Sequence, residues 1–232
     1  MVGLENTVKK GRESSGEKIR LGEGLVFDRS RNIIFLSKQQ LLPEDRVALG
    51  FAKVLEDTSI DYVLVAGYTA ILFGRGRRSD DIDFILNRIG EHSFMRLCEK
   101  AQETGFTVMQ GDISSEEAVK TLYYRYLAQG YSIRFMYKDM ILPNVEAKLA
   151  STNLHRYALT HSVTVVINNE SKIRISPLEL QITYKLYLGS DKDIGDAVFL
   201  YTLFKEAINN DELDLWCKKL KVNCNVLEAD KQ

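Results

Sequence analysis

The segment from Val63 to Leu86, VLVAGYTAILFGRGRRSDDIDFIL, constrains the fold more than any other part of the chain. Two apolar runs, each short enough for a buried strand, flank a compact apolar helix and a basic, glycine-containing loop. Gly67 closes the first run, and Asp81-Ile82-Asp83 opens the second. Successive side chains of a strand point to opposite faces, so Asp81 and Asp83 emerge together, about 7 Å apart along the strand. Ile82 and Phe84 then face a core on the other side. Adjacent carboxylates repel each other and are costly to desolvate, which makes a divalent cation their natural partner. A glycine between strand and helix lets backbone approach a phosphate, and the free N–H groups at a helix start favour an anion. The segment therefore predicts a site for Mg²⁺ (or Mn²⁺) and a triphosphate.

The flanking sequence predicts a mixed α/β fold. Residues 1–20 read as a loosely attached arm, being rich in Lys, Glu, Gly and Ser. A hairpin is expected over Gly24 to Ser37, and a helix from Pro43 with Val47, Ala48, Phe51, Val54 and Leu55 inward. Asp61 to Ala66 and Asp81 to Leu86 read as paired strands, followed by a helix over Glu91 to Gly105. Further strands are expected at Phe106 to Met109, Tyr131 to Tyr137 and Ser162 to Ile167, the last turning at Asn168-Asn169 into Lys172 to Ile175. From Ser176 the pattern is helical. Ser176-Pro177-Leu178-Glu179 has the form of a capping box, Gly189 ends that helix, and Ser190 opens the next. A last helix spans about Asp211 to Leu220. The division expected is an α/β unit over 21–175, a mixed twisted sheet flanked by helices, and a helical C-terminal subdomain over 176–232 closing on the aspartate face.

A net charge of −1 over 232 residues argues against a general polyanion binder but permits a local basic patch. Cys98, Cys217 and Cys224 have no zinc spacing, and their odd count fits reduced thiols in a cytoplasm. The polar start carries no signal-peptide pattern, and no uncharged stretch is long enough to span a bilayer. His92, His155 and His161 have no ligand spacing and read as structural or surface residues. The run Tyr123-Tyr124-Arg125-Tyr126 reads as half core and half surface.

The stretch around Gly67-Tyr68, Gly74-Arg75 and Arg78-Ser79-Asp80-Asp81-Ile82-Asp83 resembles the signature of the nucleotidyltransferase superfamily of DNA-polymerase-β-like fold, and is most similar to its single-domain and abortive-infection-type branches. The resemblance implies that Asp81 and Asp83 hold Mg²⁺ on an NTP, and that Gly67, with Tyr68 and Thr69 beside it, embraces the phosphates. Two departures stand out. Ala66 replaces the first glycine of the usual pair, and the strand expected to bring a third carboxylate, Tyr131 to Tyr137, reads YSIRFMY. Asp139 and Glu146 lie just beyond it, off the strand on this reading.

Arg75, Arg77 and Arg78 precede the aspartates, and an arginine fork matches phosphate oxygens. Arg75, Arg78 and Ser79 join the expected nucleotide-binding set. Lys192-Asp193-Ile194-Gly195-Asp196 is similar to a downstream motif of the abortive-infection branch. That similarity implies nucleotide contacts by Lys192, Asp193 and Asp196 and a catalytic role for Lys185, although acids there also suit a helix start. The expected function is transfer of a nucleoside monophosphate to a hydroxyl of RNA (tRNA included), a protein or a small molecule. Such a transferase can serve as a toxin-type enzyme; the rival readings are a nucleotide-binding regulator lacking turnover and an interaction protein, such as the partner-binding component of a toxin–antitoxin pair with a cognate antitoxin.

Overall fold

The computed structural model describes residues 18–228. Its strands are β1 (Lys18–Gly22), β2 (Leu25–Asp28), β3 (Ile33–Leu36), β4 (Tyr62–Val65), β5 (Asp81–Leu86), β6 (Phe106–Val108), β7 (Ile133–Tyr137), β8 (Met140–Leu149), β9 (Val163–Ile167) and β10 (Ser171–Ile175). The helices are α1 (Pro43–Asp57), α2 (Gly67–Leu72), α3 (Glu91–Glu103), α4 (Glu116–Arg125), α5 (Asn153–Thr160), α6 (Leu178–Leu188), α7 (Asp191–Phe204) and α8 (Asn210–Leu220). All ten strands form one mixed sheet in the order β1-β2-β3-β9-β10-β4-β5-β8-β7-β6. β4 and β5 pair antiparallel near its middle, and β5 and β8 pair parallel. No helix among the described residues is long and apolar enough to cross a membrane.

One face of this sheet is a continuous core. Pro43 starts α1, Glu44 and Asp45 complement its dipole, and the expected inward residues are fully buried. Phe51 sits at the centre of that face, its ring 5.2 Å from Phe84, 5.3 Å from Phe106 and 4.9 Å from Phe135. Ile82 and Phe84 are likewise buried, so the parity of β5 turns Asp81 and Asp83 to the opposite face. There Val63 and Ile85 pack with Ala158 of α5, Leu180 of α6 and Trp216 of α8 in a second buried cluster. The helices after β10 thus contribute to covering the aspartate face.

Several expectations need correction. Residues 18–20 of the anticipated arm belong to β1, while residues 1–17 lie outside the described part. β8, α4 and α5 are additions to the expected elements. β8 contains Pro143 and is short of β-branched residues, but Asn144-Val145-Glu146-Ala147-Lys148-Leu149 alternates polar and apolar, which is its readable signal. Pro177, not Ser176, precedes the first turn of α6, and Glu179 accepts from the Asn209 backbone N–H at 2.8 Å instead of completing a capping box. Ser190 does cap α7, accepting from Asp193 N–H.

Cys217 and Cys224 form a disulfide, contrary to the expected free thiols, and Cys98 is free and buried. The cause is local. Lys221 ends α8 in a left-handed conformation (φ 56°), which turns the chain back and brings the two Cα atoms to 6.2 Å. Closing so short a loop constrains the unfolded chain by about 2 kcal/mol. Cys224→Ser should lower unfolding free energy by about that amount. Urea titration without reductant checks this, and reductant should erase the difference.

Candidate active site

β5 carries the two aspartates, and its parallel register with β8 sets Asp83 beside Glu146. Asp81, Asp83 and Glu146 each offer an oxygen, and these oxygens all lie within 4.8 Å of one another. Glu146 therefore completes a three-carboxylate cluster whose third member the sequence leads one to seek on the strand Tyr131 to Tyr137. That strand, β7, brings an arginine instead. Arg134 lies opposite Glu146 in register and donates to Glu146 Oε2 from Nε at 3.0 Å and Nη2 at 2.7 Å. Both bonds end on Oε2, which leaves Oε1 for the cluster. Asp139 sits in the turn between β7 and β8 with φ 61°.

The cluster is electrostatically strained. Burial, then the charges of Asp81 and Glu146, push the Asp83 carboxyl up to about 7. Three oxygen ligands with no nitrogen or sulfur fit a hard divalent cation such as Mg²⁺ or Mn²⁺, whose charge would remove that repulsion.

At the head of α2 the backbone is held in an uncommon state. Ala66, at the place of the absent glycine, has φ 61° and ψ −137°, a region that L-residues rarely enter. Its carbonyl accepts from Gln181 Nε2 of α6 at 2.7 Å. Gly67 is crowded by the loop instead. A Cβ there would lie 2.8 Å from Arg77 Nη2 and 3.1 Å from Ser79 Oγ. The basic loop thus folds directly onto the strand-to-helix turn.

Arg77, rather than Arg75 or Arg78, is the arginine most tightly built in. It grips Asp196 with Nε (2.8 Å) and Nη2, and Nη2 also donates to the Gly67 carbonyl at 3.2 Å. Lys185 is 2% exposed and bridges Asp193 and Asp196, 2.8 Å from each. Burial alone would raise Asp196, but hydrogen bonds from Arg77 and Lys185 outweigh it and hold its carboxyl below the usual range. Asp193 is held low against its own burial by Lys185 and Ser190. The structure therefore brings Lys185, Asp193 and Asp196 together as a buried ion network that anchors the loop to α6 and α7. Its border reaches the cluster, since Asp83 feels the charge of Lys185.

Arg75 lies over the Phe199 ring, 5.9 Å from its centroid, in space that Gly195 leaves open. Arg75, Arg78 and Ser79 also border a groove of about 770 Å³ at the strand ends. Lys192 is exposed on the first turn of α7. Two expected contacts do not have side chains at the site. Tyr68 is fully buried and donates to Asp45 Oδ1 at 2.8 Å, and Thr69 is fully buried with its hydroxyl unpartnered. Only the backbone of these two residues is left to serve a ligand. Sequence reasoning misses Glu146, Arg134 and Arg77 as site residues, of which Glu146 and Arg134 stand at positions that only strand register brings together.

No known family model matches the sequence, and no curated protein does either. Among solved structures, the chain is similar to an antigenic nucleotidyltransferase-like protein from Paracoccidioides brasiliensis, at 15% identity and a TM-score of 0.45, over 79% of this chain and 91% of that one. It is also similar to the antibiotic-resistance factor ANT(2'')-Ia in solution, at 13% identity and a TM-score of 0.47, over 78% of this chain and 93% of that one. The crystal structure of ANT(2'')-Ia with adenylyl-2''-tobramycin gives 14% identity and a TM-score of 0.43, over 74% and 93%. At such low identity and superposition, the functional reading rests on the geometry of the site itself.

Two substitutions test this geometry. Ala66→Gly should relieve the strained backbone and raise stability by about 1 kcal/mol, or about 3 °C in Tm by thermal denaturation, after allowing for glycine's own entropy. Asp83→Asn should stabilise the metal-free protein by on the order of 2 kcal/mol, since it removes one charge from a crowded cluster. Added Mg²⁺ should raise the Tm of the parent protein and leave that of the variant unmoved.

Proposed function

We propose that this protein is a nucleotidyltransferase of the DNA-polymerase-β-like superfamily, transferring a nucleoside monophosphate from an NTP to an acceptor hydroxyl. One observation carries the reading: Asp81, Asp83 and Glu146 converge within 4.8 Å beside Gly67 and an arginine-rich loop. These three carboxylates would hold Mg²⁺ or Mn²⁺. The bound cation would neutralise triphosphate charge and polarise the phosphorus under attack.

The chain's own residues account for the rest. The β- and γ-phosphates would be met by the backbone N–H groups of Gly67 and Tyr68, beside Arg77 Nη2 and Ser79 Oγ, which fill the space a Gly67 side chain would take. Arg75 and Arg78 have no side-chain hydrogen bond among the described residues; Arg75 keeps a 3.7 Å ion pair with Asp196 through Nε and its packing on Phe199. The Arg78 fork is open to phosphate oxygens with Ser79 on the same groove, Arg75 would reach them by leaving Phe199, and exposed Lys192 would add a further positive charge. Arg77 is already committed to Asp196, and the Lys185–Asp193–Asp196 network positions the loop in preference to acting on substrate. Arg134 holds Glu146 by one oxygen and so orients the other into the cluster. In the transfer itself, the acceptor oxygen bonds to the α-phosphorus as the bond to the bridging oxygen breaks. Pyrophosphate leaves with the electron pair, and the hydroxyl proton passes to water. Glu146 removes the main motive for reading the protein as a nucleotide-binding regulator without turnover, which was the lack of a third acid.

The test is transfer of label from each α-labelled NTP, with Mg²⁺ and with tRNA or a protein extract as acceptor. Asp81→Ala, Asp83→Ala and Glu146→Ala should each lower transfer by about a thousandfold, and Arg134→Ala by about tenfold. Absence of Mg²⁺-dependent NTP binding, or transfer indifferent to all three acids, would overturn the reading.

A further inference from the structure

A cavity of about 170 Å³ opens on the same sheet face immediately beside Asp83, between the sheet and helices α5 and α6. Its floor is apolar, formed by Val65, Ile85, Ala158 and Leu180, and its polar lining includes Lys148, Thr152 and His155. An apolar cavity of ~150 Å³ is known to hold one benzene ring, so this one has room for a single six-membered ring.

Its position relative to the carboxylates gives it meaning. Val65 pairs with Asp83, so Gly67 and the basic loop lie beyond Asp83 toward the Asp81 end of β5. The cavity starts at Ala66 and Gln181, beside that turn, and runs past Asp83 the other way, to Ile85 and Lys148, which are register partners on β5 and β8. Asp83 therefore stands between the proposed phosphate cradle and the Lys148 end of the cavity. In phosphoryl transfer the attacking and leaving oxygens are roughly in line, so a leaving group in the cradle calls for an attacking oxygen from the Lys148 end of the cavity.

The lining also selects. Asp83 is its only acid among the described residues, and that acid belongs to the candidate metal cluster. Lys148 makes no ion pair or side-chain hydrogen bond among the described residues, so its ammonium is available to a ligand. His155 Nδ1 accepts from the Ser151 backbone N–H at 3.3 Å, which puts the proton of the neutral ring on Nε2. Burial, then the charge of Lys148, hold His155 below the usual histidine range, so the ring is neutral near pH 7 and offers a donor. Lys148 and His155 as donors, with Thr152, Ser176, Gln181 and Tyr184 completing the polar lining over an apolar floor, suit an oxygen-bearing ring, and the Lys148 charge disfavours an ammonium group.

We propose that this cavity is the acceptor subsite and takes a six-membered-ring hydroxyl compound without positive charge, positioned by Lys148 and His155. The proposal rests on the nucleotidyltransferase reading. The ring oxygen bonds to the α-phosphorus, pyrophosphate leaves with the electron pair of the broken bond, and the hydroxyl proton goes to water.

The test uses the full chain with Mg²⁺ and a non-hydrolysable NTP. Two probes represent the two sources of such a ring: 4-fluorophenol, read by fluorine NMR, and methyl glucoside, read by saturation transfer. At least one should bind. Ala158→Phe, which fills the cavity, should abolish that binding while Mg²⁺·NTP binding is retained. In turnover assays with the probe that binds, Lys148→Met and His155→Leu should each raise the acceptor KM about tenfold and leave the NTP KM unchanged. If Ala158→Phe fails to fold by circular dichroism, these two variants, scored by probe binding, take its place. If Mg²⁺·NTP binds but neither probe does, the subsite is wrong and the nucleotidyltransferase reading stands. Probe binding unchanged in the cavity variants, or preferential binding of the polycation tobramycin, would overturn it as well. Failure of Mg²⁺·NTP binding would overturn both.

Discussion

Three carboxylates can be held together here because β5 and β8 run parallel in a register that sets Asp83 beside Glu146. Neighbouring strands are only about 4.8 Å apart, so side chains on one face of adjacent strands cannot avoid each other. What holds that register is the opposite face. Side-chain direction alternates residue by residue, so a slip of one position would expose Ile82 and Phe84 and drive the aspartates into the Phe51 core. The apolar packing of α1 against Phe84, Phe106 and Phe135 thus secures an arrangement of like charges that would otherwise come apart. Arg134 relieves one oxygen of Glu146, and a divalent cation would relieve the rest.

The second constraint ties the basic loop to the C-terminal helices. Asp196 is fully buried, and Arg77, Arg75 and Lys185 converge on it from the loop and from α6. Buried ion networks contribute little net stability against a well-packed apolar alternative, because desolvation offsets the attraction. Their geometry is specific, however. The Arg77 fork can reach both Asp196 and the Gly67 carbonyl only if loop, α2 and α7 are docked together, so the network sets where the loop lies over the strand-to-helix turn. The Gln181 bond to the Ala66 carbonyl adds a second link between α6 and the same turn.

Much of this arrangement is legible in the amino-acid sequence. Alternation in Asp81 to Leu86 identifies which residues face the core and which face the site, and 3.6-residue spacing does the same for α1. The parts that escape it share a cause. β8 carries a proline and three polar residues, so its strand character lies in a short alternation that local propensity obscures. Glu146 therefore reads as lying off the sheet, and attention falls on β7, which brings the arginine that orients it. Closeness in sequence to Gly67 points to Tyr68 and Thr69 as ligand contacts. Helical geometry rotates their side chains into the core instead, where Asp45 takes the tyrosine hydroxyl.

By itself, the sequence determined the paired strands β4 and β5, the common face of Asp81 and Asp83, and the close approach at Gly67. Those follow from the two-residue period of a strand and from the absence of a side chain, which are local properties. Only the tertiary structure decided which acid joins the pair, which arginine lies against Gly67, that Cys217 meets Cys224, and that a ring-sized cavity adjoins Asp83. Each of these depends on which strand lies next to which, or on how a helix end turns the chain. Such pairings are set by the packing of distant apolar residues, which no short window of sequence contains.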